Sequence, residues 1–183
     1  MKQTFLEVFS YLKNPILEKD TNENFKYRLK KFGHLLLIGL LTGFLISPIF
    51  VIIEEFGLIN MEDHAMEEMM KHISKLGVFF LAVIVAPLFE ELIFRGPLTL
   101  FKRKKAFKIA FYTLTILFGL IHISNFTMTK NVLLLTPILV LPQILLGGYL
   151  GFIRVRFDLG WSIALHACYN GVLMLITFST DLH

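Results

Sequence analysis

Residues 34–53 form a run of twenty in which no side chain carries a formal charge, counting His34 as neutral. A helix rises about 1.5 Å per residue, so a run of this length spans roughly 30 Å of hydrocarbon. Backbone exposed to lipid must satisfy its own hydrogen bonds, which leaves helices and closed barrels as the only choices. That one segment excludes an ordinary soluble domain, although 183 residues would suit one. Comparable apolar runs recur at 76–100, 106–126, 131–153 and 159–178. The expected fold class is all-α: a polytopic transmembrane helix bundle of about five spans, residues 1–183 making a single membrane-embedded domain. Composition agrees, with 55% of residues hydrophobic and only 17% charged, against about 25% charged in a typical soluble domain. Pro137 and Pro142 should bend or loosen the fourth span. Gly147 and Gly151 put small residues on one face of it, where another helix can approach closely.

The charges orient these spans. Lys102, Arg103, Lys104 and Lys105 fill one connection, and Arg154 with Arg156 sits in another. The loop from Glu54 to Lys75 holds six acidic residues and only Lys71 and Lys75 as counter-charges. Basic loops stay cytoplasmic, so an N-terminus inside and a C-terminus outside is expected, in a plasma membrane of bacterial type. Seven Lys/Arg lie in the first 31 residues, without the apolar core of a secretory signal. Phe5, Val8, Phe9 and Leu12 recur there at helical spacing beside Lys2, Glu7 and Lys13. Residues 1–33 therefore read as a cytoplasmic amphipathic segment with an N-terminal interfacial helix on the lipid bilayer; a mobile polar tail is the alternative. The basic residues match no nucleic-acid motif, so no nucleic-acid partner is expected. One cysteine, Cys168, excludes an intrachain disulfide and any multi-cysteine metal site.

Against this apolar background stand Glu90, Glu91, Arg95, His122, His166 and Asn170. Ionisable groups at membrane depth are costly and mark functional sites by default. Counting helical rise from the basic ends puts Glu90, His122, His166 and Asn170 at depths similar enough to share one cavity. Glu91 and Arg95 are spaced i,i+4 for an intrahelical ion pair, which turns Glu90 toward a different neighbour. His166 and Asn170 share that spacing, as do Phe118 and His122. Pro87, three residues before Glu90, can open the backbone locally. These residue types support hydrolysis: a desolvated glutamate as general base, an imidazole to position water, and an imidazole with a carboxamide to stabilise an oxyanion.

Other chemistries find less support. There is no GxSxG nucleophile elbow and no aspartate within a span, and Cys168 falls nearly opposite His166 on its helix. Ser124 and Asn125 read as helix-end hydrogen-bonding groups, with cavity lining as the alternative. A buried polar network that merely fastens helices would use the same six residues, and a proton-coupled transporter would use the same acids. The inverted repeats that favour a transporter are missing.

Phe89-Glu90-Glu91-Leu92-Ile93-Phe94-Arg95-Gly96 resembles the EExxxR motif of the CPBP family, the CAAX proteases and bacteriocin-processing enzymes also called Abi. Phe118-Gly119-Leu120-Ile121-His122 is similar to its FxxxH motif, and His166-Ala167-Cys168-Tyr169-Asn170 to its HxxxN motif. The resemblance covers a core of residues 76–178 and implies an intramembrane endopeptidase that acts on a peptide or membrane-protein substrate. Carried onto these positions, it implies Glu90 as base, His122 as activator of water, His166 and Asn170 as oxyanion stabilisers, and Glu91 and Arg95 as supports. It favours a mechanism without cofactor or metal. Zn²⁺ held by Glu90, His122 and His166 is the alternative, although no HExxH is present. Family resemblance also leaves open a non-catalytic role in bacteriocin immunity or phage defence by binding.

Overall fold

The computed structural model describes residues 1–60, 69 and 72–180. Four of the six acidic residues in the loop on which the expected orientation partly rests lie outside these residues. All described elements are helical, and five stretches are long and apolar enough to cross a membrane: Phe25–Glu55, Lys75–Leu100, Lys104–Asn125, Lys130–Arg156 and Leu159–Ser179. The protein is a multi-pass integral membrane protein, as the apolar runs required.

Helix α1 (Lys2–Lys13) is followed by α2 (Phe25–Glu55), whose first turn is capped by Asn24 through a bond from the Tyr27 N–H. The second span is a relay: α3 (Lys75–Phe80), a π-helical stretch (Leu81–Val85), α4 (Ala86–Phe94) and a 3₁₀ turn (Pro97–Leu100). Then come α5 (Lys104–Ile121), with a 3₁₀ turn at His122–Asn125, α6 (Lys130–Leu139), α7 (Leu141–Arg156) and α8 (Leu159–Thr180).

The Asn24 cap starts α2 at Phe25, so residues 25–33, read from the sequence as part of the cytoplasmic segment, form the polar head of the same helix as the first span. The fourth span is loosened where its prolines led one to expect: Val140, at φ −97°, ψ 0°, ends α6, and Pro142 stands in the first turn of α7. Proline lacks an N–H to continue the ladder but fits a first turn, where that donor has no partner anyway.

α7 is the central rod, with α5, α8, α2 and α1 packed around it. Leu150, Phe152 and Ile153 are fully enclosed, and Phe107, Phe111 and Phe118 of α5 pack against them in one core. The small residues of α7 permit this closeness. A Cβ on Gly151 would stand 2.7 Å from the ring of Phe111, and one on Gly147 3.0 Å from both Phe118 and Arg95 Nη2. The outer face of α2 is apolar: Leu37, Leu41, Leu45, Ile49 and Ile52 are exposed, as a helix face bathed in lipid requires.

α1 is a docked helix, not a tail. It buries Thr4, Val8 and Tyr11 against α2 and α7 and exposes Phe5, Leu6 and Phe9. The Tyr11 hydroxyl donates to the Ile16 carbonyl, and Tyr112 of α5 donates to the carbonyl of Leu12. A web of charge completes the joint: Lys31 lies 2.9 Å from Glu7 and 3.0 Å from Asp20, and Arg156 lies 3.2 Å from Glu7.

Candidate active site

All six predicted polar residues come from three segments that meet beside α7. Glu90, Glu91 and Arg95 descend from α4, His122 closes α5, and His166 with Asn170 comes from α8. A cavity of about 370 Å³ is lined by Glu90, His122, His166 and Asn170, with Ala82 and Ala86 as part of its wall. Arg95 and Glu91 stand behind it, 2% and 0% exposed.

The two neighbouring glutamates have opposite surroundings, because consecutive helical residues point about 100° apart. Glu91 faces inward: its carboxylate accepts from the Ser162 hydroxyl and from His166 Nδ1 at 3.1 Å, and Arg95 Nη1 lies 3.4 Å away. Arg95 in turn stacks on Phe118, 3.8 Å from the ring centroid. The i,i+4 ion pair read from the sequence is present, and it is a clamp on the second histidine. Glu90 faces the cavity. Its Oε2 is buried without a hydrogen-bond partner among the described residues, 3.9 Å from His122 Nε2 and 3.8 Å from His166 Nε2.

The partners of the two histidines fix their tautomers. His122 Nδ1 lies 2.7 Å from the Phe118 carbonyl and His166 Nδ1 lies 3.1 Å from the Glu91 carboxylate. A carbonyl oxygen and a carboxylate can only accept, so each Nδ1 carries a proton and each Nε2 points at Glu90. Phe118 is the common spacer, with ring centroids 4.9 Å from His122 and 5.6 Å from His166. A phenylalanine four residues before the histidine thus sets both the ring's hydrogen bond and its packing.

Asn170 is held by the backbone of the π-helical stretch, its Nδ2 donating to the Ala82 carbonyl at 2.9 Å. The i→i−5 register of that stretch, seen where Ala86 N–H bonds to Leu81 O, assigns the Ala82 carbonyl to the N–H of residue 87. Residue 87 is proline and has none. Asn170 supplies the missing donor from another helix. π-bulges of this kind cluster at functional sites.

Several cavity residues were missed by the sequence reading. Gln143 and Tyr169 line the wall, and Ser162 holds Glu91. None belongs to an ionic pattern, and only the positions of Gln143 and Ser162 inside apolar spans could have flagged them. Asn125 lines the cavity, the alternative reading of that residue, while the exposed Ser124 donates to the Ile121 carbonyl. Cys168 is exposed, on the far face from His166.

The donor types of Glu90, His122 and His166 suit zinc. Zinc bonds of about 2.0–2.1 Å hold ligand atoms roughly 3.4 Å apart; here Glu90 Oε2 stands 3.9 and 3.8 Å from the two Nε2 atoms. Among the described residues no group of three or more His, Cys, Asp or Glu is placed to hold a metal ion.

Residues 72–172 match the family described as type II CAAX prenyl endopeptidase Rce1-like. The chain belongs to this family. The Rce1-like match spans all three motifs and every residue of the Glu90–His122–His166–Asn170 cluster, and family membership implies a membrane peptidase of the CAAX-protease type. No curated protein and no solved structure matches the chain.

Proposed function

We propose that the cavity hydrolyses a peptide bond with water activated by Glu90. The observation that carries this reading is the orphaned Glu90 Oε2 facing two imidazole Nε2 atoms. Separations of 3.8 and 3.9 Å are too long for direct hydrogen bonds, yet a single water can touch the carboxylate and an imidazole together. Glu90 takes one proton of that water as it attacks, while His122, whose Nε2 offers a lone pair, accepts a hydrogen bond from the remaining O–H and aims the oxygen at the carbonyl carbon.

The developing oxyanion then needs donors. Asn170 has a second amide hydrogen beyond the one given to Ala82. His166 donates from Nε2 when it carries both ring protons, and Glu91 is the charge partner of that state. Proton return from Glu90 to the leaving amine completes the cycle. The substrate is a peptide or membrane-protein segment that reaches the cavity from the lipid, and the basic ends of the spans face the cytoplasm.

The test is turnover of a membrane peptide by purified protein in vesicles. Glu90→Gln and His122→Ala are expected to lose cleavage while inserting normally, and activity is expected to survive chelation. Full turnover by Glu90→Gln would overturn the reading. Stoichiometric zinc with chelator-sensitive activity would replace it with the metal alternative.

A further inference from the structure

Away from the Glu90 cavity, at the basic end of the bundle, lies a larger hollow of about 490 Å³ lined by Leu17, Lys19, Thr99, Lys102, Arg154 and Val155. It sits where two spans finish, since the second ends at Leu100 and the fourth at Arg156. The hollow is therefore at the level where apolar chains give way to headgroups.

Arg154 is its fixed element. Nε donates to the Arg95 carbonyl at 3.0 Å and Nη2 to Thr99 Oγ1 at 3.0 Å, with the Gly96 carbonyl at 3.5 Å. Those bonds occupy one side of the guanidinium and hold it rigidly; no described protein group takes up Nη1. Lys19 and Lys102 are exposed and have no ion-pair partner among the described residues. The nearby acids do not neutralise the trio: Glu18 is turned to Arg156 at 3.9 Å, and Asp158, exposed one turn beyond Arg154, acts on it only through charge. Two apolar walls, Leu17 and Val155, complete the hollow.

We propose that this hollow binds a phosphate group, and that its source is the headgroup of an anionic phospholipid. Three positive charges and a hydroxyl around an open hollow match phosphate oxygens, and Arg154, held in place through Nε and Nη2, presents Nη1 for a charge-assisted bond. Basic pockets between spans at the membrane surface are the usual form of such sites. The site is separate from the peptide-cleaving cavity but mechanically joined to it: the carbonyls held by Arg154 belong to Arg95 and Gly96, immediately after the glutamate helix α4.

The test uses the full chain, delipidated and exchanged into phosphatidylcholine with a limiting share of phosphatidylglycerol, with retained lipid counted by native mass spectrometry. Each lysine near an anionic headgroup is worth a factor of about five, so K19Q/K102Q is expected to hold phosphatidylglycerol roughly twentyfold more weakly. K104Q/K105Q, which removes equal charge from the same end outside the hollow, is expected to behave as the parent. Equal loss in both double variants would reveal diffuse attraction to a basic rim and overturn the site, and so would equal retention in both. Inorganic phosphate that displaces the lipid at comparable concentration would keep the phosphate site and assign its source to the free anion; inability to displace it supports the lipid.

Discussion

Two charge networks in this protein are built from the same residue types and do different things. In the bundle, Glu91 meets Arg95, Ser162 and His166 with no exposed atom to spare. At the α1 joint, Lys31 meets Glu7 and Asp20, and Arg156 meets Glu7, with Glu7 28% exposed. Buried ion pairs repay their desolvation only when every lone pair is used, and breaking one by removing a single partner is strongly destabilising. Pairs open to water are screened and worth little each. The inner network therefore serves geometry, since it decides which nitrogen of His166 faces Glu90. The outer one serves attachment, holding a short amphipathic helix against α2 and α7.

The comparison can be broken most severely from inside. Arg95→Leu leaves the Glu91 carboxylate buried without its cation, a loss of about 3–5 kcal/mol. The expected result is a large fall in the yield of folded protein and in its melting temperature in detergent. Glu91→Gln is the sharper probe. It keeps the shape but removes the negative charge beside His166 Nδ1 and Arg95, so the melting temperature should fall here too, and kcat of the folded protein is expected to fall roughly ten- to a hundredfold with KM nearly unchanged.

A smaller effect is expected at the π-helical stretch. Pro87→Ala restores an N–H that competes with Asn170 for the Ala82 carbonyl, so a several-fold loss of kcat should appear without loss of fold, and Asn170→Asp should mask it. An unchanged rate in Pro87→Ala would mean that the cross-helix bond does not position Asn170.

The outer network should give the smallest response. Burial disfavours the Asp20 carboxylate, but the Asn22 backbone N–H, the Tyr27 hydroxyl and Lys31 outweigh that and hold its pKa down to about 2. A folded-state pKa below the unfolded one contributes stability that is complete above about pH 4 and lost as pH falls through about 2. Protease cleavage in the segment after α1 should therefore stay slow down to about pH 4 and accelerate below it, and Asp20→Asn should show the faster rate at neutral pH. After solvent screening the cost of Asp20→Asn is about 1 kcal/mol or less.

The motif residues of α4, α5 and α8 were legible in the sequence because an acid or imidazole inside an apolar run is costly and stands out, and helical spacing alone turned Glu90 away from Glu91. The helical character of the relay through Leu81–Val85 was legible too, but its register was not. Pro87 showed that a carbonyl would be freed, yet which residue would fill the gap depended on a helix some eighty positions later in the chain. Gln143, Tyr169 and Ser162 were invisible for a related reason: each is an ordinary residue until a neighbour from another span reaches it.

Sequence by itself determined the solvent and the inventory: hydrocarbon outside, helices across it, and a small set of groups too expensive to be there without a task. Tertiary structure alone decided the assignment of those groups. Hydropathy and spacing act along one chain segment, whereas a hydrogen bond between α4 and α8, or between Asn170 and the Ala82 carbonyl, exists only after α7 has brought the helices to packing distance. That closeness rests on Gly147 and Gly151, where even one added carbon would collide with Phe118, Arg95 or Phe111.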